Sequence, residues 1–476
     1  MNTDMNAMMA QELGRLLPEL FLAGAAVLGL LLGSFLPRGR QWLVRVLALA
    51  ASVAGLVSTV VGWSRENMTV FEDSYAVDTA TNATRAVVLV SVLLVLGMAT
   101  TQIHGQARET EFVVLLLLGA LGAVLLAGAN DILLLAAAYL LASVPLYALI
   151  GFAKDAPGTE ASLKFYLLGA LLGTTMLFGV MLLSGVGGGT DYPMLRDALP
   201  DAPVAAVAVG VIALLGGLLF KAGAVPAQFW VPDVTEGARP AVGAIVTTIP
   251  KIGAAVALYR FVAVPLGATD LDWPLLIAVI AAATMTLGNL AAFFQTNVRR
   301  LLAYSTISQI GYLLMAVAAA GRATLALPSL LYYLAAYAVT NLGAFAVVSA
   351  LPRATTLDDY VGLRRHRPWL ALSLVVCLLG LVGTPPTGVF AGKLTVFTAA
   401  LDAGLGWLVV VAAVNTVASV FYYLRWIAPA MRTGSDIGTM DRPAVLTAYV
   451  AAPASVAIGL LAGPALALVD NGLMAG

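Results

Sequence analysis

Residues 379–397 read LGLVGTPPTGVFAGKLTVF. Apolar residues flank Lys393 on both sides, and Pro385 and Pro386 sit just upstream of it. A lysine is costly in a segment that lies in lipid. Proline cannot donate a backbone hydrogen bond, so two in succession should break a helix at this point. Carbonyls freed at membrane depth need water or polar side chains. Thr384, Thr387 and the neighbouring glycines leave room for both. The stretch reads as an interrupted membrane helix with a cation beside the interruption.

The rest of the chain supports that reading. Of its 476 residues 61% are hydrophobic and 11% charged, and the mean hydropathy is +0.95. A soluble domain is about half apolar and about a quarter charged. Apolar runs of about 20 residues, each long enough to cross a bilayer as a helix, recur from end to end. They lack period-two alternation, which argues against a barrel. Fourteen spans are expected, roughly at 17–36, 42–62, 84–103, 112–129, 131–153, 162–185, 203–225, 240–264, 273–294, 301–321, 327–350, 369–391, 405–428 and 444–469. Only Ala129, Asn130 and Asp131 separate the fourth from the fifth. The fold class is an all-α polytopic membrane protein, and residues 1–476 form a single membrane domain.

The loops alternate in charge. Odd connections carry PRGR, GQAR, Lys154, NVRR, RRHRP and then Arg432 and Arg442. Even ones carry ENMTVFEDSYAVD, DYPMLRDALPDAP and GATDLD. Positive loops stay cytoplasmic, so both termini are expected on the outer side of the membrane. The acidic start, MNTDMNAMMAQELGRLLPELF, does not resemble a cleaved signal peptide.

Composition narrows the chemistry. Formal net charge is zero, which argues against a nucleic-acid partner. Cys377 is alone in an apolar run, so no disulfide framework or thiolate cluster is expected. His104 and His366 lie in separate polar segments, so no zinc or haem site is expected.

The cations are sorted by type. The chain has 20 arginines and five lysines. Most arginines lie in loops or at span ends. Of the lysines only Lys154 is plainly in a loop; Lys221, Lys251 and Lys393 lie inside apolar spans and Lys164 near the start of one. Arginine does not release its proton in practice, whereas a desolvated lysine does. Buried ionisable groups mark function by default, and three in one chain point to a proton relay. Against that, a lysine near a span end often only snorkels to the interface. This bland reading weighs most on Lys164, one turn after Glu160 in TEASLK, and less on Lys221; Lys251 and Lys393 are deeper. Pro226 and Pro250 stand to Lys221 and Lys251 as Pro385 and Pro386 stand to Lys393, although prolines also merely kink packed helices. No aspartate or glutamate occupies a span centre. The polar residues left are Gln309, Asn289, Asn341, Asn415, Ser305, Ser308, Tyr139 and Tyr312. They can hold water, but buried amides more often join helices.

LLGGLLFKAGAVPAQFW in the seventh span and LLGLVGTPPTGVFAGKLTVF in the twelfth both combine glycine, proline and lysine. Five spans apart, they would be inverted in the membrane. Interrupted helices at matching places in inverted repeats mark transporter folds.

FWVPDVTEGARPAVGAIVTTIPK, QTNVRRLLAYSTISQIGYLL, YYLAAYAVTNLGAFAVV, LDDYVGLRRHRPWLAL and GTPPTGVFAGK resemble the antiporter-like membrane subunits of respiratory complex I, and most of all its N-type subunits. The PDVTEGA segment with a lysine in the next span and the opening LPELFLAGA carry the N-type likeness. The family also includes subunits of sodium/proton antiporters and membrane-bound hydrogenases. The resemblance covers nearly the whole chain. It implies fourteen helices, with inverted five-helix repeats at 112–264 and 273–428 and broken helices 7 and 12. It implies a proton path along the midplane, with Lys221 on the input side, Lys251 central and Lys393 on the output side. Its SLEAxxK segment matches TEASLK, which adds Glu160 and Lys164.

The resemblance further implies a proton-translocating subunit of an NADH:quinone oxidoreductase with no cofactor of its own. NADH, flavin, iron–sulfur clusters and quinone would belong to partner subunits, and K-, M-, J- and A-type membrane subunits would be neighbours within the bilayer. The rivals are a sodium/proton antiporter subunit and a structural paralogue that does not pump. The last arises because the sequence departs from the family pattern. The fifth span usually reads like LELLSLPLYAL; here it reads AYLLASVPLYAL, which puts Leu140 where a glutamate normally pairs with the seventh-span lysine. Gln228 and Gln309 stand where histidines are common. Glu160 is the candidate substitute for the missing carboxylate, reaching Lys164 or Lys221 through water.

Overall fold

The computed structural model describes residues 12–473 except 270, 436, 437 and 471. The acidic N-terminal stretch 1–11 and residues 474–476 lie outside the described residues, and so do the expectations that rest on them. Thirteen described helices are long and apolar enough to cross a membrane, from Leu17–Phe35 to Arg442–Leu460. One further crossing is made of two shorter helices, Pro368–Val382 and Gly388–Asp402. Counted together they give the fourteen expected, and this broken one is the twelfth. The fourth and fifth spans are separate: Glu109–Gly128 ends at Ala129, and Ile132–Ala153 follows.

Acidic and amide side chains explain many of the helix starts. A helix leaves its first N–H groups unpaired, and Asp, Asn or Ser accepts from them. Asp78 accepts from Thr81, Asp131 from Leu133 and Leu134, Asp155 from Gly158, Asp191 from Met194, and Asp272 from Leu275. Asn297 does the same for Arg299 and Arg300. Many of the loop acids are thus committed to caps. Between the second and third spans, Met68–Val70 and Tyr75–Val77 pair as a small antiparallel hairpin within the loop ENMTVFEDSYAVD.

The layers are graded by burial. The eighth span, Pro240–Ala263, is wholly buried over its most apolar stretch, and the tenth, Val298–Ala318, and eleventh, Ala326–Ala350, are 94% buried. The first, second, sixth and thirteenth bury 33%. The buried lysines and their polar neighbours lie in or against this central layer.

Both expected breaks are present. The helix Val204–Ala222 stops at Gly223, and the chain re-forms a helix only at Trp230–Gly237. Pro368–Val382 stops at Gly383. Both glycines are left-handed, with φ of +79° and +86°, a conformation that costs other residues about 1–2 kcal/mol. Pro250 behaves differently. It lies inside a continuous helix, because one missing donor does not break a helix that neighbours enclose on all sides.

Candidate functional site

Lys221 is the last residue but one of the seventh-span helix and is fully buried. Its ammonium donates to the Ser143 hydroxyl and lies 4.6 Å from the Tyr139 ring centroid. Tyr139 and Ser143 are four residues apart on the fifth span, so they share a face. Leu140 faces outward and is 46% exposed. Lys221 therefore meets positions 139 and 143 of the fifth span, not position 140. Ser143 escaped the sequence reading; its i+4 spacing from Tyr139 was the available signal.

Lys251 comes from the centre of the eighth span. Its Nζ lies 3.4 Å from the backbone carbonyl of Lys221 and 4.1 Å from the Trp230 ring centroid. That carbonyl is among the last four of a helix and lacks a partner within it. Gly223 keeps the approach open: a Cβ there would stand 3.4 Å from Lys251 Nζ and 2.8 Å from Val231 Cγ2.

Lys393 repeats this arrangement at the second break. It belongs to the half-helix Gly388–Asp402 and donates to the carbonyl of Val382, at the end of the preceding half, at 2.9 Å. Tyr312 offers its ring face at 4.1 Å. Among the described residues, none of Lys221, Lys251 and Lys393 makes an ion pair.

Polar side chains fill the interval between these lysines. Asn341 donates to Thr247 and Thr248, one turn before Lys251, at 3.1 and 3.0 Å. Tyr337 donates to the Thr247 carbonyl and to Thr306. Tyr333 donates to Gln309 at 2.5 Å, and Gln309 donates to the Leu381 carbonyl at 2.7 Å. Leu381 adjoins Val382, the acceptor of Lys393. Ser305 pairs with Tyr423 at 2.5 Å. Asn289 and Asn415 instead bond each other, joining the ninth and thirteenth spans. That is the structural role buried amides commonly play.

Lys164 and Glu160 lie elsewhere. They pair at 2.8 Å, with side chains 45% and 67% exposed. Glu160 reaches Lys164 directly, and among the described residues no hydrogen bond or ion pair joins it to Lys221. The reason is positional: both residues occupy the outward face of the first turns of the sixth span. Lys164 has a second partner, Asp233, at 2.9 Å, and Arg300 bridges Asp233 and Glu236. Burial opposes ionisation of Asp233, but hydrogen bonds and charge from Lys164 and Arg300 outweigh it and hold the carboxyl below its ordinary value. The short helix Trp230–Gly237 is held there because Gly237 packs on the backbone of Pro157.

Two of the span-end arginines are nonetheless deeply buried. Arg85 and Arg260 are buried within the third and eighth spans. Arg85 grips Glu19 with Nε and Nη2 at 2.7 and 2.8 Å. Arg260 pairs with Asp78 at 2.8 Å, both fully buried. Each arginine is matched by a fixed carboxylate near a span end, so these are permanent ion pairs. Lys221, Lys251 and Lys393 differ in having no carboxylate partner among the described residues.

No cluster of three or more His, Cys, Asp or Glu side chains among the described residues is arranged to hold a metal ion. Residues 129–419 match the family described as NADH:quinone oxidoreductase/Mrp antiporter, TM. The chain is 56% identical over 458 residues to NADH-quinone oxidoreductase subunit N 1 of Streptomyces griseus, spanning 96% of this chain and 97% of that protein. It is 50% identical over 456 residues to NADH-quinone oxidoreductase subunit N of a Mycobacterium species, spanning 95% and 97%. A chain of respiratory complex I from Thermus thermophilus superposes with a TM-score of 0.82 at 32% identity, covering 96% of this chain and all of that one. A chain of the Mrp complex from a Dietzia species shares the fold, with a TM-score of 0.85 at 22% identity. The chain belongs to the NADH:quinone oxidoreductase/Mrp antiporter family of membrane subunits.

Proposed function

We propose that this chain is the N-type membrane-arm subunit of a proton-translocating NADH:quinone oxidoreductase, and that Lys221, Lys251 and Lys393 form its proton relay. The observation that carries the relay is the repeated contact at the two helix breaks. At each, a buried lysine without a carboxylate lies against a carbonyl at the end of the interrupted helix. Such a site stabilises an ammonium through dipoles alone, and it leaves the proton free of a fixed counter-charge.

Lys221 and Lys251 work as a pair. Neighbouring ammonium groups repel in a medium of low dielectric constant, so a proton arriving at one favours departure from the other. Passage from Lys251 to Lys393 follows Thr248, Asn341, Tyr337, Thr306, Tyr333 and Gln309. These groups do not titrate at working pH; they orient water that carries the proton. Tyr139 Oη and Asn341 Oδ1 are buried without a hydrogen-bond partner among the described residues, and buried polar atoms of this kind commonly bind water. The ion network of Glu160, Lys164, Asp233, Arg300 and Glu236 acts at the margin of the relay, where it fixes Trp230–Gly237 and hence the Trp230 ring over Lys251.

The two breaks also support spans four to eight and nine to thirteen as inverted repeats, with the arginine-rich loops cytoplasmic. Redox chemistry belongs to partner subunits that hold NADH, flavin, iron–sulfur clusters and quinone; the other membrane-arm subunits are this chain's neighbours. Identities of 56% and 50% to N-type subunits, against 22% to an Mrp chain, favour this reading over a sodium/proton antiporter subunit.

The test is proton flux in proteoliposomes containing the assembled complex. Lys251→Ala and Lys393→Ala are expected to abolish most of the flux attributable to this subunit while assembly stays intact. Unchanged flux in intact assemblies would leave the chain a structural spacer.

A further inference from the structure

The outer surface of the twelfth and fourteenth spans carries a groove of 690 Å³. Leu372 and Val376 line it from the twelfth span, and Pro453, Val456 and Leu460 from the fourteenth. Trp369 and Tyr449 also line it and are exposed. Tryptophan and tyrosine gather where a membrane meets water, with an apolar ring and a polar edge.

Both helices start at the arginine-rich end of the molecule, and their starts touch: Arg367 Nε lies 3.2 Å from Met440 Sδ. Arg442 is exposed at the first residue of the fourteenth span. Residues 442, 449, 453, 456 and 460 follow spacings of seven, four, three and four, which place them on one helix face. Arg442 therefore heads the same stripe that lines the groove. Arg364 and Arg365, just before the twelfth span, are exposed as well. Among the described residues, none of these three arginines has a carboxylate within ion-pair distance. The arrangement is an apolar slot with an aromatic collar, between two helices that are begun or preceded by exposed arginines without a carboxylate partner among the described residues.

We propose that this groove binds an anionic glycerophospholipid, with one acyl chain in the slot and the phosphate at Arg442 and Arg365. Charge favours a lipid over a protein helix. The unpaired arginines call for an anion, and basic pockets between helices at a cytoplasmic surface bind acidic headgroups. Lipid tails are as apolar as the groove walls, so the slot alone does not select; selectivity comes from the arginines. The site stands independently of the proton relay, because none of its residues contacts Lys221, Lys251 or Lys393.

The test is native mass spectrometry of the full-length chain, purified in mild detergent with its accompanying subunits, stripped of lipid and titrated with phosphatidylglycerol or phosphatidylcholine. One phosphatidylglycerol adduct is expected to bind with marked preference over phosphatidylcholine. Arg365→Gln with Arg442→Gln should weaken that adduct roughly 30-fold, from about a fivefold loss per arginine. Ala457→Trp, which plugs the slot, should remove it. Equal binding of the two lipids by the wild-type protein overturns the proposal without recourse to any variant. So does an adduct that survives both substitutions, or a density map of the assembled complex showing a protein helix in the groove.

Discussion

The Nζ of Lys251 lies 3.4 Å from the backbone carbonyl of Lys221, so the eighth span reaches the end of the interrupted seventh. One lysine thereby rests on the main chain of another. This contact predicts that charge at position 251 is not sufficient. Lys251→Arg keeps a cation but holds its proton permanently. It is expected to assemble normally and yet lose proton flux as fully as Lys251→Ala, measured by pH-sensitive dye in proteoliposomes. Flux retained by the arginine variant would show that position 251 acts only electrostatically.

Gly223 and Gly383 make the two breaks possible. An alanine at Gly223 meets a left-handed backbone and a Val231 methyl at 2.8 Å; at Gly383 it meets Lys393 Cδ at 3.0 Å. Each substitution is expected to cost at least about 1–2 kcal/mol. Each should lower proton flux beyond what the stability loss explains, because the intruding methyl displaces the lysine. Thermal unfolding by nanoscale fluorimetry and flux assays on the same preparation separate the two effects.

Ser143 supplies a hydroxyl acceptor to Lys221. Ser143→Ala leaves that buried ammonium with an aromatic face and no oxygen acceptor from the fifth span, at a cost of about 1–3 kcal/mol. Flux is expected to fall, and Ser143→Thr should restore much of it by returning the hydroxyl. If Ser143→Ala pumps at the wild-type rate, the hydroxyl is packing only.

The pair Asp78–Arg260 is a structural ion pair and not a relay member. Removing one partner strands a buried charge, so Arg260→Met is expected to destabilise by about 3–5 kcal/mol. The double variant Asp78→Asn, Arg260→Met strands none, and asparagine retains the helix cap toward Thr81. It should recover most of the loss with near-normal flux. Thermal denaturation of the three proteins checks the order.

The sequence by itself determined the crossings and the breaks beside Lys221 and Lys393, but not the interruption between Ile132–Leu141 and Val144–Ile150 in the fifth span. Length and composition fix each span because lipid leaves the backbone no partner but itself, and glycine and proline mark where that self-pairing fails. Lys221, Lys251 and Lys393 stood out for the same reason: a charge in an apolar run has no local explanation. What the one-dimensional pattern does not carry is which face of a helix meets which neighbour. Leu140 occupies the place where a carboxylate was looked for, yet it faces outward, and Tyr139 and Ser143 meet Lys221 instead. Arg260 found Asp78 across 182 residues of chain, and Lys164 found Asp233 across 69. In a membrane, apolar periodicity does not separate lipid from protein, since both surroundings are equally oily. Only the tertiary packing decides whether a buried cation is locked to a carboxylate or, like these three lysines, left with carbonyls and hydroxyls.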